Sequence, residues 1–200
     1  MSYDTNNLEF VIFDAETTGL NPQEGDRIVE IAGIRFRGLE RISSFQSLIN
    51  PGRPISQAAF EVNKITREML KDAPKTEEVL PRFLSFIKGS CLCSYNAGFD
   101  LGFLNNELLL LKQPPLSGIM VLDILKMARR LLPGLERYAL WFVADSLGIK
   151  KEQEHRALSD VEITLSVFRK LRHLMELKGI SDFKHMSSLF SVNQDFLDNI

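Results

Sequence analysis

The sequence predicts an α/β fold in which a mixed sheet is flanked by helices. Strand patterns joined by tight turns fill the first part of the chain, up to about residue 50. From about residue 57 onward, helical periodicity alternates with short apolar runs. Strands joined by tight turns pair antiparallel, whereas strands separated by helices can join in parallel. We therefore expect a five-stranded sheet, with three antiparallel strands first and parallel additions after them.

The predicted strands follow from apolar content and alternation. Residues 8–13 form a largely apolar run that ends at Asp14, as in a central strand covered on both faces. Residues 26–37 alternate in their distal half, and a glycine turn leads into a third strand over residues 40–50. The later strands are expected to be short and to cover residues 90–95 and 119–123.

The predicted helices are bounded by caps and helix breakers. Thr76 caps a helix over residues 76–87, with acidic residues in its first turn and Pro74 and Gly89 on either side. The longest helix begins near Arg156, where apolar residues recur every three or four positions. The other expected helices cover residues 57–63, 98–111, 124–132 and 135–147.

The length and charge of the chain narrow the class of protein. A chain of 200 residues fits one domain with a short appendage, which we place at residues 1–178 and 179–200. The appendage is expected to be either a packed helix or a partner-binding tail. A net charge of −2 excludes a broad cationic surface that would coat duplex nucleic acid. The sequence shows neither a signal pattern nor a membrane-spanning run, so we expect a cytoplasmic protein without a membrane partner.

Carboxylates stand at the ends of three predicted elements. Asp14 and Glu16 lie two residues apart at the end of the first strand and therefore project from one face. Asp100 and Asp160 each fall near the start of a helix, and His155 precedes the second of these helices. Neighbouring carboxylates repel unless a cation compensates, and their oxygens suit Mg²⁺ or Mn²⁺. Each acid alone is explained as a cap or strand end, but their order favours a catalytic site.

A short polar segment follows the first two acids. It consists of Thr17, Thr18, Gly19 and Leu20. Small hydroxyl residues and a glycine allow backbone N–H groups to approach a ligand closely. A plain polar turn explains the same residues equally well.

The motifs in this order resemble the DEDD superfamily of exonucleases, in its histidine-bearing branch. That family includes the proofreading epsilon subunit of bacterial DNA polymerase III and RNase T. The likeness runs from about residue 8 to residue 172 and includes residues 27–32 and 62–70 between the motifs. It implies an RNase H-like fold and a 3′→5′ exonuclease.

The resemblance also implies roles for individual residues. The acids that would hold two divalent ions, Mg²⁺ or Mn²⁺, are Asp14, Glu16, Asp100 and Asp160. His155 matches the general base of the family, and Thr17 to Leu20 match the segment that holds the terminal nucleotide. The other candidate substrate contacts are Asn63, Tyr95, Asn96 and Phe99. Tyr95 and Phe99 are equally explained by packing, and the family often has histidine at the positions of Asn63 and Tyr95.

The predicted function is release of nucleoside 5′-monophosphates from single-stranded or frayed DNA 3′ ends, as in proofreading. An RNase T-like enzyme that trims RNA 3′ ends is the alternative, since no residue separates the two substrates. A non-catalytic interaction module is disfavoured because all four acids and His155 are present. The expected partner is a nucleic acid 3′ end, with a polymerase catalytic subunit or a sliding clamp as candidates. Residues 186–190 faintly resemble clamp-docking peptides, although a helix packed on the domain explains them better.

Overall fold

A computed structural model describes residues 8–150, 156–180 and 182–192 of the chain. Five strands form one sheet in the order β3-β2-β1-β4-β5. The strands are β1 (Glu9–Thr17), β2 (Ile28–Arg37), β3 (Glu40–Leu48), β4 (Cys91–Ser94) and β5 (Val121–Asp123). The first three pair antiparallel, and β4 and β5 extend the sheet in parallel from β1. The mixed five-stranded sheet predicted from the sequence is therefore confirmed.

Helices cover both faces of this sheet. They are α1 (Gln57–Asn63), α2 (Arg67–Lys71), α3 (Thr76–Ile87), α4 (Ala97–Leu110), α5 (Ile124–Leu131), α6 (Leu140–Ser146), α7 (Ala157–Leu177) and α8 (Phe183–Phe190). Among the residues described, no helix combines the length and the apolar character needed to cross a bilayer.

Alternation along β1 divides its side chains between two hydrophobic cores. Phe10 and Ile12 belong to the core that α7 covers, while Val11 and Phe13 belong to the core that α3 and α4 cover. Both cores are needed because β1 is central, which explains its largely apolar sequence. The same alternation continues to the end of the strand and places Asp14 and Glu16 on the α7 side.

Three local expectations from the sequence differ from the structure. Thr76, expected to cap α3, is the first residue of that helix, and Lys75 occupies the cap position. The helix expected over residues 135–147 begins only at Leu140. Contacts of Tyr138 hold the preceding segment irregular: its hydroxyl donates to the Leu132 carbonyl (2.8 Å), and its own carbonyl accepts from Tyr95 (2.6 Å). The short helix α2, absent from the prediction, begins where the Thr66 hydroxyl accepts a hydrogen bond from the Met69 N–H (3.2 Å).

The last described segment packs on the main domain. Met186 and Phe190 of α8 are fully buried in the core that α7 covers. Beyond the helix, Ser191 bridges Leu122 of β5, and the Val192 N–H donates to the Val121 carbonyl (2.9 Å). The described part of the C-terminal segment therefore both covers a core and pairs with the outer edge of β5.

Candidate active site

Three carboxylates meet where β1 ends against the first turn of α7. Asp14 and Glu16 reach this point from β1, and Asp160 reaches it from α7. One carboxylate oxygen from each residue lies within 4.8 Å of the other two. The alternation of β1 and the position of Asp160 in the first helical turn account for this convergence. Oxygen ligands gathered at this spacing can coordinate a divalent cation.

Asp160 provides a specific sign that the cluster suits a cation. It is only 8% exposed, and its Oδ1 is buried with no hydrogen-bond partner among the described residues. Buried polar atoms are nearly always paired, because leaving one unpaired costs roughly 1–3 kcal/mol. A cation bound between Asp160, Asp14 and Glu16 would satisfy this oxygen. The donor set therefore fits a hard divalent ion such as Mg²⁺ or Mn²⁺.

The electrostatics of the cluster point the same way. Burial raises the pKa of Glu16 to about 8, and the negative charges of Asp160 and Glu30 add to the shift. Burial also raises the pKa of Asp160 to about 6, again with a contribution from Glu30. The pKa of Asp14 lies well above its usual value because of burial and the nearby Asp100. Burial and repulsion therefore both disfavour the ionised carboxylates, and a divalent ion would relieve both.

Asp100 stands beside this group and is committed to two protein contacts. Its Oδ1 accepts the Ala15 N–H (3.1 Å), and its Oδ2 accepts the Ser94 hydroxyl (2.5 Å). Burial raises its pKa to about 7, although both hydrogen bonds oppose the shift. Asp100 is not one of the three residues whose oxygens converge. Each carboxylate oxygen keeps a further lone pair, so a role in holding a cation stays a prediction.

A fifth carboxylate near the site belongs to Glu30, which was not predicted from the sequence as a site residue. It lies on β2 directly opposite Glu16, and its side chain is completely buried. Two hydrogen bonds join it to the guanidinium of Arg156. Burial works to raise the pKa of Glu30, but hydrogen bonds from Arg156 and Gln46 bring it below its usual value. Glu30 could have been predicted from the antiparallel pairing of β1 with β2, because residues directly opposite each other project from the same face of the sheet.

His155, the expected general base, lies outside the described residues. Arg156, which directly follows it, is described, as is the first turn of α7 with Asp160. The role of His155 therefore stays a prediction from the sequence.

The segment after β1 forms a tightly bonded loop. The Thr18 hydroxyl donates to Asp26 (2.9 Å), and the Thr17 hydroxyl donates to the Gly19 carbonyl (2.5 Å). A Cβ at Gly19 would lie 2.2 Å from the Asp26 carboxylate, so a larger residue would have to displace that carboxylate. Leu20 at the tip is 83% exposed. The loop thus presents one large apolar side chain to solvent beside the acid cluster.

Two of the expected substrate contacts have their polar groups engaged within the protein. Asn63 is 1% exposed: its amide nitrogen donates to the Thr17 carbonyl (3.3 Å), and its oxygen accepts from Ile65 (3.0 Å). The Tyr95 hydroxyl donates to the Tyr138 carbonyl (2.6 Å). In this arrangement Asn63 ties α1 to the end of β1, and Tyr95 holds the segment before α6. The structure gives both residues a supporting role, and their direct contact with a substrate stays a prediction.

The remaining two candidates flank the start of α4. Asn96 is exposed and adopts a left-handed conformation (φ 69°) as the residue before the helix. Phe99 is partly buried and packs against Phe103, with ring centroids 4.9 Å apart. Asn96 is therefore accessible to a ligand, whereas Phe99 offers one ring face to the core.

Comparisons with known proteins agree with this geometry. The sequence model of the exonuclease family, RNase_T, matches residues 11–168. DNA polymerase III subunit epsilon of Treponema pallidum is 40% identical over 163 residues, which cover 80% of this chain and 75% of that protein. The PolC-type DNA polymerase III of Caldanaerobacter subterraneus is 35% identical over 181 residues, or 90% of this chain. This chain spans only 13% of the length of that polymerase.

A solved structure shares the architecture. Exonuclease X, in complex with 5′-overhanging duplex DNA, superposes with a TM-score of 0.68 at 27% identity. The match covers 90% of this chain and 98% of exonuclease X. The RNase H-like arrangement expected from the sequence is thereby confirmed.

Proposed function

We infer the function of this chain from its family: it belongs to the exonucleases of the RNase_T type, and we propose that it acts on DNA 3′ ends. Family membership confirms two predictions from the sequence, the resemblance to the histidine-bearing DEDD exonucleases and the 3′→5′ exonuclease activity. The proposed reaction removes nucleotides one at a time from single-stranded or frayed DNA and releases nucleoside 5′-monophosphates.

One observation carries the proposal of metal-dependent hydrolysis: Asp14, Glu16 and Asp160 converge, and one Asp160 oxygen has no hydrogen-bond partner among the described residues. We propose that these residues, together with Asp100, hold two divalent cations, Mg²⁺ or Mn²⁺. Two such ions would activate the attacking water and stabilise the departing 3′ oxygen.

Residues of the chain would carry out proton transfer and hold the substrate. Attack of water on phosphorus breaks the bond to the 3′ oxygen, and His155 would take the proton of that water. The loop from Thr17 to Leu20 would hold the terminal nucleotide, with exposed Leu20 in contact with a base. The fixed hydrogen bonds of Thr17 and Thr18 would keep this loop in place without substrate, which lowers the entropy lost on binding.

DNA is the favoured substrate because the two relatives described above are DNA polymerase III proteins. A DNA polymerase catalytic subunit is accordingly the proposed partner, in the cytoplasm. A sliding clamp is not proposed through residues 186–190, since Met186 and Phe190 are buried in the core and α8 would have to detach. We propose residues 1–178 as the catalytic unit and residues 179–200 as a C-terminal segment, whose described helix α8 packs on that unit.

The experiment that tests the proposal is a degradation assay with labelled substrates. With Mn²⁺ or Mg²⁺, we expect 5′-labelled single-stranded DNA to shorten progressively, and 3′-labelled DNA to release labelled mononucleotide at once. A mismatched 3′ end on a duplex should be removed faster than a paired one, because it frays more readily. RNA of the same sequence is the comparison: faster degradation of RNA than of DNA would replace the proposal by RNA 3′-end trimming.

A second prediction concerns His155. We expect His155→Ala to lower kcat by roughly 10²–10⁴-fold, the usual contribution of a general base, with little change in the affinity for DNA. Single-turnover hydrolysis and DNA binding without hydrolysis should be measured separately. His173→Ala, a change of an exposed histidine on α7, is the matched control and should keep wild-type turnover. If the His155 variant loses only DNA affinity, the histidine is a contact residue and not the base.

A further inference from the structure

We propose that Glu30 is a positioning residue for the reaction, because its carboxylate fixes Arg156 and the start of α7 and thereby the place of Asp160. The inference rests on the exonuclease function proposed above and assigns a role to a residue outside the expected set of four acids and one histidine. Glu30 would touch neither substrate nor cation and would act through the helix that it anchors.

The contacts of Glu30 join three separate parts of the chain. Arg156 donates to it twice, from Nε to Oε2 (2.9 Å) and from Nη2 to Oε1 (2.7 Å), across 126 residues of sequence. Gln46 of β3 donates to Oε1 from the other side (2.9 Å). A bidentate guanidinium–carboxylate pair fixes orientation as well as distance. Glu30 of β2 therefore holds the Arg156 side chain in one orientation.

The same carboxylate caps α7 from a distance. Arg156 is the residue before the helix, and its side chain makes no capping hydrogen bond. The Ala157 N–H instead donates to Oε2 of Glu30 (3.3 Å). The first N–H groups of a helix have no partner within the helix and favour an anion. Glu30 thus supplies from β2 what a serine or aspartate would usually supply at the cap position.

This anchor leads directly to Asp160. The Asp160 N–H donates to the Arg156 carbonyl (3.0 Å). The first turn of α7 is therefore bonded to Arg156, the residue that Glu30 holds. Glu30 in turn lies opposite Glu16 in the β1–β2 pairing. Glu30 and Arg156 therefore help to fix the position of Asp160 on the helix relative to Glu16 on the strand. His155, the proposed base, directly precedes Arg156 in the sequence.

Stability alone gives a weak reason for a charged pair at this place. Replacing a buried ion pair with well-packed apolar residues is often neutral or stabilising. Glu30 also adds negative charge beside Glu16 and Asp160, which disfavours the ionised forms of both acids. The need to place the metal ligands accurately explains the ion pair better, since active sites tolerate errors of only about 0.5 Å in the positions of their groups.

The test begins with Glu30→Gln, which keeps the shape of the side chain and removes the ion pair. We expect kcat to fall by roughly 10–100-fold, as for other residues that orient metal ligands, while KM for DNA stays close to the wild-type value. Arg156→Lys keeps the charge but loses the fork and should recover part of the activity lost in Arg156→Gln. Because the two residues act as one unit, Glu30→Gln with Arg156→Gln should lose no more than the worse single variant.

Two further measurements do not depend on turnover. Hydrogen exchange of the backbone amides of residues 157–160 should accelerate in Glu30→Gln, and Mn²⁺ affinity measured by calorimetry should fall by roughly 10–100-fold. The matched control is Glu9→Gln, which breaks ion pairs to Arg35 and Arg37 at the opposite end of β1. This control should keep the wild-type kcat, Mn²⁺ affinity and exchange rates at residues 157–160.

The outcomes separate the inference from the proposed function. Wild-type kcat and Mn²⁺ affinity in Glu30→Gln would overturn the inference, and so would equal losses in Glu9→Gln. If the wild-type protein degrades neither DNA nor RNA, the proposed function fails. The exchange and Mn²⁺ measurements would then still decide whether Glu30 positions the first turn of α7.

Discussion

Replacing Asp14 by asparagine is expected to abolish hydrolysis while the protein stays folded. Burial raises the pKa of Asp14 well above its usual value, and the nearby Asp100, Glu16, Asp160 and Glu30 raise it further. Removal of a single electrostatic group from an active site already lowers turnover by roughly 10²–10³-fold. Loss of a ligand proposed to hold cations should lower it by at least that much. Single-turnover degradation of 5′-labelled DNA in Mn²⁺ measures the effect.

The same substitution should stabilise the metal-free protein. Asparagine keeps the shape of the side chain and removes a charge that burial and four nearby acids oppose. We expect the melting temperature in EDTA to rise by several degrees, given that about 1 kcal/mol moves it by roughly 2–4 °C at this size. Asp72→Asn, at an exposed acid after α2, is the control and should change neither activity nor melting. Full activity in Asp14→Asn would refute the proposed metal site.

The stability of the metal-free protein should fall as the pH rises from about 4 to about 8. Folding raises the pKa of Glu16 to about 8 and that of Asp160 to about 6, above their ordinary values near 4. The folded state therefore binds more protons than the unfolded state throughout this window. An acid with a raised pKa leaves stability intact below its unfolded pKa, and stability is lost as the pH rises through the folded pKa. Thermal melts in EDTA across this range measure the slope.

Addition of Mn²⁺ should reverse this dependence. Because the cation competes with protons for the same oxygens, the rise in melting temperature on adding Mn²⁺ should be larger at pH 8 than at pH 5.5. Asp160→Asn removes one of the titrating groups and should show a flatter dependence on pH without metal. A melting temperature that climbs with pH in EDTA, or an Asp160→Asn curve parallel to the wild type, would contradict the explanation.

Local patterns in the sequence were sufficient to predict the sheet and the shared face of Asp14 and Glu16. The spacing of Asp14 and Glu16 at the end of an apolar strand predicted a shared face, and the structure brings them together with Asp160. Strand alternation and helix caps are properties of neighbouring residues, so they can be recognised without knowledge of the tertiary structure. The division of the sheet into antiparallel and parallel parts followed from the same local signals.

Contacts between distant segments could not be predicted in this way. The pair of Glu30 and Arg156 joins residues 126 positions apart. The burial of Asn63 depends on the carbonyl of Thr17, which faces it only after α1 has folded back onto β1. The late start of α6 depends on Tyr95, which donates to the carbonyl of Tyr138. In each case a tertiary contact decides the outcome, and local propensity does not.

The contacts of Asp100 have a consequence for the shape of the sheet. The backbone pairing of β1 with β4 stops at Ile12 and Cys93, and beyond that point the two strands separate. Asp100 spans the gap, accepting the Ala15 N–H on one side and the Ser94 hydroxyl on the other. Its carboxylate therefore joins β1 to the end of β4 beyond the last residues that their backbones pair. A substitution of Asp100 would therefore remove both of these contacts between β1 and β4, in addition to any effect on cation binding.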